Sequence, residues 1–397
     1  MSFEVKLNHN VESLINVPYA FDVVDANKKR AIEKHGKNFI IDFGIGDPSD
    51  PTPKVVREAV KKSVEETKAD GYPSTPGKKS FKESVAKYMK KRFGVALELS
   101  EIVATYGSKY ACSHLPLYFI NPGAGEYTLC PNPGYPPYAT GTVISGGKYH
   151  LLNIMEENDF LPVLSEIPKD VVGKSKILYV NSPHSPTARV YPKDYLKECV
   201  DFCLDNNIML VSDECYADLY YNEPPKSVLE IKGADECALV LHSLSKRSMM
   251  TGYSVGFCAS KNPQLLKPYD SLQRKTIQGL ANIVQDAASV ALLDEKHALE
   301  MRLEYQRRMK AFVPALEEYG MNVAKPEGTF FIWARIPEGE NPVEYSGKLL
   351  LENGVNCVPG NLISEEFNGV NPGEKHVRFA LVPSFEKVCE AAERLTA

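Results

Sequence analysis

The sequence lacks the features that mark several large classes of protein. Its nine cysteines form no Cys-x-x-Cys pair and no Cys/His cluster at metal-ligand spacing, so we expect neither a disulfide framework nor a metal site. No run reaches the ~18 apolar residues of a membrane span, and the first residues lack the charged-then-apolar order of a signal peptide. With a net charge of −5 and interspersed signs, there is no basic patch for nucleic acid. These absences favour a cytoplasmic protein that has no membrane or nucleic-acid partner. Its 397 residues suffice for two domains.

A glycine pair superficially suggests a dinucleotide site. The segment Gly44-Ile-Gly46 resembles the start of a Gly-x-Gly-x-x-Gly fingerprint. However, Pro48 interrupts the turn and position 49 is serine, so we reject a dinucleotide site.

The most informative residue that is present is Lys246. An apolar run from Ala238 to Leu241 ends in hydroxyl residues at Ser243 and Ser245, and Lys246 follows directly. This order predicts an amine at the carboxyl end of a buried strand. A lysine is costly to bury as a cation, so burial would lower its pKa and make it a nucleophile for carbonyl compounds. Taken alone, a solvated loop lysine explains the pattern about as well.

Three other apolar runs of strand length also end in polar clusters. They are Ile102–Tyr106 before Gly107-Ser108-Lys109, Ile177–Val180 before Asn181-Ser-Pro-His-Ser-Pro-Thr-Ala188, and Ile208–Val211 before Ser212-Asp213-Glu-Cys-Tyr216. In doubly wound sheets, ligands bind outside the carboxyl ends of the strands. A glycine–hydroxyl turn that opens a helix suits a phosphate, and an aspartate that ends an apolar strand suits a buried cation. A Schiff-base lysine, an aspartate and a phosphate cradle together are what pyridoxal 5'-phosphate requires.

On these residues the chain resembles the fold-type-I pyridoxal-phosphate enzymes, specifically the class I/II aminotransferases. It looks most like their LL-diaminopimelate and N-succinyl-diaminopimelate branch. The likeness extends from Ile41-Asp-Phe-Gly-Ile-Gly46-Asp-Pro48 to His376-Val-Arg378-Phe-Ala380. It implies an α/β fold, with a large domain around a mostly parallel seven-stranded sheet and a smaller α+β domain. It also implies an amino acid substrate and a homodimer with composite active sites.

The resemblance also implies a role for each candidate site residue. Lys246 would form the Schiff base, Asp213 would pair with the pyridine nitrogen, and Tyr216 would bond the phenolic oxygen. Arg378 would clamp the substrate carboxylate, with help from the backbone N–H of Gly46. The remaining candidates would all touch the cofactor: Tyr135 by stacking on its ring, Ser185 near its phenolic oxygen, Ser108, Lys109, Ser243, Ser245 and Ser254 at its phosphate, and Tyr72 at the phosphate of the partner subunit.

Three positions depart from the family pattern. Ser254 stands where the family has an arginine that binds the cofactor phosphate. Ser185 and Ala188 replace the asparagine and the glycine of its Asn-Pro-Thr-Gly motif. Losing one partner of a buried charge pair typically costs about 2–5 kcal/mol. We therefore expect weaker cofactor binding, or a substitute cation from Arg247, Lys109 or Arg189.

The pattern of strands and helices predicts three regions. Residues 1–30 would form an N-terminal arm, 53–293 the large domain, and 31–52 with 294–397 the small domain. A charged, helically periodic run from about Asp294 to Tyr319 predicts a long connecting helix. Thr329–Trp333 and Val377–Ala380 are expected to be strands.

Three functional hypotheses remain open from the sequence. One is an aminotransferase whose amino acid substrate has a second polar or charged end. Another is a non-transaminating enzyme on the same scaffold, performing elimination, replacement, cyclisation, decarboxylation or oxidation. Ser185, Ala188 and Ser254 favour it, because altered contacts would tilt the cofactor. The third, a cofactor-binding regulator without catalysis, is disfavoured because a 30-residue arm is too short for a DNA-binding domain.

Overall fold

The computed structural model describes residues 6–15, 22–67 and 71–397. Apart from short 3-10 turns, the helices in these ranges are α1 (His9–Ile15), α2 (Asp22–His35), α3 (Lys54–Glu66), α4 (Lys79–Phe93), α5 (Gly107–His114), α6 (Pro116–Phe119), α7 (Pro137–Ile144), α8 (Lys169–Val172), α9 (Lys193–Asn206), α10 (Ala234–Cys237), α11 (Leu244–Arg247), α12 (Pro263–Thr276), α13 (Asn282–Leu293), α14 (Glu295–Glu318), α15 (Pro342–Asn353) and α16 (Phe385–Thr396). The strands are β1 (Ile41–Asp42), β2 (Ile102–Thr105), β3 (Tyr127–Asn132), β4 (Lys148–Asn153), β5 (Ser175–Asn181), β6 (Met209–Asp213), β7 (Ala238–Ser243), β8 (Gly256–Ala259), β9 (Asn322–Val323), β10 (Phe331–Arg335), β11 (Val355–Asn356), β12 (Val358–Pro359) and β13 (His376–Ala380).

The largest sheet has seven strands in the order β2-β8-β7-β6-β5-β3-β4. Strand β8 is antiparallel to both of its neighbours, and the other pairs are parallel. The four apolar runs that precede the polar clusters are β2, β5, β6 and β7, so the strand predictions on which the site depends are confirmed. The fold is α/β with a mostly parallel central sheet and a smaller second region, as expected.

Both faces of this sheet are buried, which explains why its strands are continuous apolar runs rather than alternating ones. Along β5, Leu178 and Val180 belong to one apolar cluster, whereas Ile177 and Tyr179 belong to another. Alternate residues of a strand point to opposite faces, so the two clusters lie on opposite sides of the sheet. Because both faces of the sheet are covered, the ends of its strands form the accessible edge.

The second region is built from two small sheets. One is antiparallel with the order β12-β13-β10-β9, and the other pairs β1 with β11. Helix α14, whose N-cap is Asp294, is the long helix that the charged run predicts. The strands predicted around Phe331 and Arg378 are present as β10 and β13. Their apolar cluster includes Phe43, Phe312 and Phe379.

The predicted division into arm, large domain and small domain stays a prediction. The arm takes in residues 1–5 and 16–21, which lie outside the described residues. Helix α2 runs through residue 30 to His35 and packs against α15. Within the described ranges, none of the helices is both long and apolar enough to cross a membrane.

Candidate active site

Strand register brings the polar clusters together at one edge of the large sheet. Asn181 is paired with Asp213, and Asp213 with Leu241, two residues before Ser243. Gly256, the first residue of β8, is paired with both Thr105 and Ser243. The polar ends of β2, β5, β6 and β7 therefore lie side by side. This is the edge at which the sequence predicts a ligand.

Asp213 is a buried carboxylate surrounded by neutral groups. Its Oδ2 accepts a hydrogen bond from the Tyr138 hydroxyl at 3.0 Å and lies 3.7 Å from the Cys112 sulfur. Its Oδ1 accepts from the Cys215 backbone N–H at 3.2 Å. Burial raises the pKa of Asp213, and these hydrogen bonds only partly offset the effect. Among the described residues no lysine or arginine pairs with it, so a cationic ligand would stabilise the ionised form.

Three tyrosines flank this carboxylate. Tyr138 stacks on Tyr179 with ring centroids 4.5 Å apart, which fixes the hydroxyl that reaches Asp213. Tyr135 meets the edge of Tyr138 at 5.8 Å and is 38% exposed, so it presents a ring at the mouth of the site. Tyr216 is buried, and burial raises the pKa of its hydroxyl. The charge of Arg378 partly opposes that rise.

Lys246 is partly buried on the short helix α11. Its Nζ donates to the carbonyl oxygen of Gly46 at 2.6 Å and lies 5.4 Å from the centre of the Phe330 ring. Burial lowers the pKa of this amine. No acidic side chain within the described ranges forms an ion pair with it. A partly desolvated amine without a carboxylate partner has the properties of a nucleophile. The Schiff-base role of Lys246 stays a prediction.

Arg378 is placed similarly on β13. Its Nη2 donates to the carbonyl oxygen of Gly44 at 2.7 Å, and its guanidinium lies 4.7 Å above the Phe331 ring. Its Nε is buried and has no hydrogen-bond partner. Burial lowers the pKa of Arg378 to about 10. A guanidinium with open donors and no carboxylate partner in the described part of the chain is suited to bind an anion in a bidentate manner.

A cluster of hydroxyl groups lies where β2, β7 and β8 meet. The Ser243 hydroxyl donates to that of Ser245 at 3.0 Å and accepts from its backbone N–H at 3.3 Å. A Cβ added to Gly107 would lie 3.7 Å from the Ser243 hydroxyl, and one added to Gly256 would lie 3.2 Å from the Gly107 Cα. Gly107, with φ of +68°, opens α5, in which Ser108 is buried. Small residues, hydroxyls and a helix start together suit a phosphate.

Two of the departing serines also reach this edge. The backbone N–H of Ser185 donates to the Asn181 side chain at 2.8 Å, which in turn donates to the Asp213 carbonyl at 2.8 Å. Ser254 is exposed, has φ of +49°, and lies two residues before Gly256. Ala188 also has a positive φ of +61°, the conformation for which glycine is usual.

Two of the three substitute cations that the sequence suggests are bound elsewhere. Arg247 is buried and donates to Asp218 at 2.7 Å. Arg189 forms ion pairs with Asp159 and Glu327. The expectation that either one replaces the missing phosphate arginine is therefore wrong, because carboxylates already neutralise both. Lys109, exposed on α5, is the remaining candidate of the three.

Tyr72 is not brought into this cluster. It is 90% exposed, and the segment that follows it passes along Gly279, where an added Cβ would meet the carbonyl oxygens of Pro73 and Ser74 at 2.5 and 2.7 Å. An exposed tyrosine on a packed segment is compatible with the predicted role in a partner subunit. That role stays a prediction.

The residues present fit pyridoxal 5'-phosphate, with one exception. Asp213 offers the buried carboxylate, Lys246 the amine and the Ser243 cluster the phosphate cradle. What is lacking at the cradle is a guanidinium. The arrangement can hold a pyridine ring between Tyr135 and the sheet edge, and can place an amino acid carboxylate on Arg378.

Several side chains of the site were not predicted. Tyr138 and Cys112 surround Asp213, and Phe330 and Phe331 lie beneath the two cations. The spacing of Tyr138 from Tyr135, three residues along a helix start, is the one signal that could have identified it. The phenylalanines resemble any apolar strand, so their role depends on the tertiary structure.

Comparisons with known proteins agree with this geometry. The model of the family described as aminotransferase class I and II matches residues 39–395. An LL-diaminopimelate aminotransferase from Aquifex aeolicus is 38% identical over 95% of this chain and 96% of its own. One from Halothermothrix orenii is 34% identical over 97% of each. Among solved structures, an aminotransferase from Neisseria meningitidis has a TM-score of 0.89 at 28% identity, covering 98% of this chain and 99% of its own.

Proposed function

We propose that this chain, which belongs to the aminotransferase class I and II family, transfers the α-amino group of an amino acid that has a second polar end. Enzymes of this family use pyridoxal 5'-phosphate. The observation that carries the proposal is the set of three charged groups that lack an opposite charge in the described structure: Asp213, Lys246 and Arg378. Each has the sign and chemistry of one part of the bound cofactor and substrate.

Each residue of the site has a separate role in the proposed reaction. When bound, the cofactor supplies an electron sink for the bond that breaks at Cα. Asp213 keeps the pyridine nitrogen protonated, because its buried carboxylate needs a cation. Arg378 holds the substrate carboxylate in two parallel hydrogen bonds and so fixes the orientation of Cα. Tyr135 covers the ring. Lys246 would hold the cofactor, and its Nζ would serve as the general base that takes the proton from Cα.

Diaminopimelate is the substrate that we infer. The support is the 38% identity to an enzyme of that name over 95% of this chain. The molecule carries two amino acid ends, one for Arg378 and one to provide the second polar group. None of the comparisons favours the non-transaminating alternative, although Ser185, Ala188 and Ser254 motivated it.

We also propose a homodimer with composite sites in the cytoplasm. The exposure of Tyr72 supports the dimer, because its family role requires a neighbouring subunit. All nine cysteines are free, which suits a reducing compartment. Light scattering on the holoenzyme tests the dimer, and a stable, active monomer would refute it.

The reaction is tested with the purified holoenzyme and a matched pair of amino acids. LL-diaminopimelate and lysine differ only in the second carboxylate. We expect LL-diaminopimelate to convert the cofactor fully to its amino form, as followed by absorbance, and lysine to do so far more slowly. Equal rates would refute the proposal that the second carboxylate of diaminopimelate is recognised. Long-wavelength absorbance that persists without formation of the amino form would refute transamination.

The identity of the lysine is tested separately. Borohydride reduction of the holoenzyme followed by peptide mass mapping should place the cofactor on Lys246. A tag on any other lysine would contradict the assignment, whatever the substrate is.

A further inference from the structure

Arg247 follows Lys246 in the chain but points into a different environment. Its side chain is 5% exposed, and its Nε donates to Asp218 Oδ2 at 2.7 Å. Asp218 also accepts from the Tyr88 hydroxyl at 2.8 Å and from Arg92 Nε at 3.0 Å. Burial alone would raise the pKa of Asp218, but the charges of Arg247 and Arg92 lower it below its usual value. The carboxylate is therefore ionised and satisfied on both oxygens.

The same guanidinium reaches the end of a distant helix. Arg247 Nη1 donates to the carbonyl of Ala291 at 2.6 Å, and Nη2 donates to that of Leu292 at 3.3 Å. These carbonyls belong to the last turn of α13, where intrahelical partners run out and a cation is favourable. Glu295 Oε1 lies 3.6 Å from Nη2. One side chain thus joins α11 to the junction between α13 and α14.

A second contact ties the same turn to that junction. The hydroxyl of Ser248 is 2.9 Å from His297 Nε2, and His297 Nδ1 is 3.0 Å from Asp294 Oδ2. Asp294 caps the start of α14, the helix that leads to the small sheets. Two consecutive residues after Lys246 are therefore anchored where the large sheet region meets the connecting helix.

Helix α11 needs such anchors because it has only four residues. A single turn has no stability of its own in water, so its geometry is set by tertiary contacts. Within the described ranges, the Lys246 side chain makes a single hydrogen bond, to the carbonyl of Gly46. The contacts that fix the conformation of α11 are therefore those of Arg247 and not those of Lys246.

We propose that Arg247 is a positioning residue for Lys246. Bound to Asp218 and to the last carbonyls of α13, it holds the turn that presents the amine. It also makes the position of the amine depend on the α13–α14 junction. Asp218 lies in the segment that follows Asp213 and Tyr216. The Arg247–Asp218 ion pair therefore holds Lys246 in a fixed position relative to Asp213. The inference rests on the proposed role of Lys246.

The test compares Arg247→Met and Arg247→Lys with Arg394→Met. Arg394 is a partly buried arginine of α16 that is bonded to Glu390 and to the carbonyls of Phe39 and Asn353, so its loss destabilises the fold elsewhere. For each folded apoprotein, two quantities are measured on addition of pyridoxal 5'-phosphate. They are the rate of cofactor capture from absorbance, and the visible circular dichroism per bound cofactor, which reports how rigidly the ring is held.

We expect Arg247→Met to slow capture by about 10²-fold, the effect of a misplacement near 1 Å, and to lose most of the dichroism. Arg247→Lys keeps a charge for Asp218 but lacks the planar fork for two carbonyls, so it should fall between Arg247→Met and the wild type. Arg394→Met should match the wild type in both quantities despite a lower melting temperature.

The inference is overturned if Arg247→Lys and Arg247→Met capture the cofactor at the wild-type rate with full dichroism, or if Arg394→Met is equally impaired. Should Arg247→Met fail to fold, Arg247→Lys decides: wild-type behaviour overturns the inference and slowed capture supports it. A borohydride tag on a lysine other than Lys246 would instead show that the proposed role of Lys246, on which this inference rests, is wrong.

Discussion

Lys246 and Arg247 are neighbours in the chain with opposite surroundings. Arg247 is bonded to a buried carboxylate and two helix-end carbonyls, whereas Lys246 has one carbonyl and the face of Phe330. The same contrast recurs between two arginines of the second region, one on α14 and one on β13. Arg308 is bonded to Asp50 and Glu304, whereas Arg378 has the Gly44 carbonyl and the face of Phe331.

The difference separates cations that belong to the fold from cations kept for a ligand. A buried charge is costly unless an opposite charge accompanies it. Arg247 and Arg308 meet that condition within the protein. We propose that Lys246 and Arg378 are kept for a ligand instead: burial lowers the pKa of Lys246 and so favours a neutral, reactive amine, whereas Arg378 gains an opposite charge when an anion binds. Carbonyl oxygens and aromatic faces hold both side chains in place. Among these four cations, the absence of a carboxylate partner is what distinguishes the two that we propose as functional.

The sharpest way to break this comparison is to remove Lys246. Lys246→Ala should abolish turnover, because Lys246 is the amine that we propose to hold the cofactor, and should leave weak non-covalent cofactor binding. The exposed Lys61, paired only with Glu58 on α3, is the control. Lys61→Ala should retain full activity. Steady-state assays and equilibrium dialysis measure both effects, and residual turnover in Lys246→Ala would contradict the assignment.

For the free energy of unfolding, we expect the loss of Arg247 to have a larger effect than the loss of Lys246. Arg247→Met should lower the free energy of unfolding by about 3 kcal/mol, the lower end of the range for breaking a buried pair, because Arg92 still neutralises Asp218. Lys246→Met should change the stability of the cofactor-free protein by about 1 kcal/mol or less, since a single hydrogen bond is lost and a desolvated charge is removed. Urea unfolding without cofactor measures both. Equal losses would show that the two cations do not differ in role.

A milder change tests the anion site. Arg378→Lys keeps the charge but loses one of two parallel hydrogen bonds to a carboxylate, about 1.5–3 kcal/mol for a bond to a charged group. We expect KM for the amino acid to rise roughly 10- to 150-fold, with a smaller change in kcat. The control is Arg335→Lys, on the neighbouring strand, where the exposed guanidinium pairs with Glu156 and Glu338. An unchanged KM in Arg378→Lys would contradict the proposal that Arg378 binds the substrate carboxylate.

Much of this site could be predicted from the sequence because its residues follow strand ends. Lys246, Asp213 and Ser108 each come directly after an apolar run, and the observed sheet brings those ends together. The partners of Arg247 could not be predicted in that way. Asp218 and Ala291 are far from it along the chain, and no local pattern distinguishes an arginine that points into the protein from one that points toward a phosphate. Phe331 likewise reads as an ordinary core residue until Arg378 is seen above it.

The smallest expected effect concerns the cation that is lacking at the phosphate cradle. Ser254 is exposed two residues before Gly256, which is paired with Ser243, and its φ of +49° is a conformation that most side chains adopt at a cost of about 1–2 kcal/mol. Ser254→Arg would bring a guanidinium to a doubly charged phosphate, and charge-assisted hydrogen bonds are about twice as strong as neutral ones. We therefore expect tighter cofactor binding by about 10-fold, measured by equilibrium dialysis, with some loss of thermal stability. Ser254→Gln controls for length and backbone strain without the charge and should lose stability with no gain in affinity. If both variants bind the cofactor as the wild type does, Ser254 does not face the phosphate.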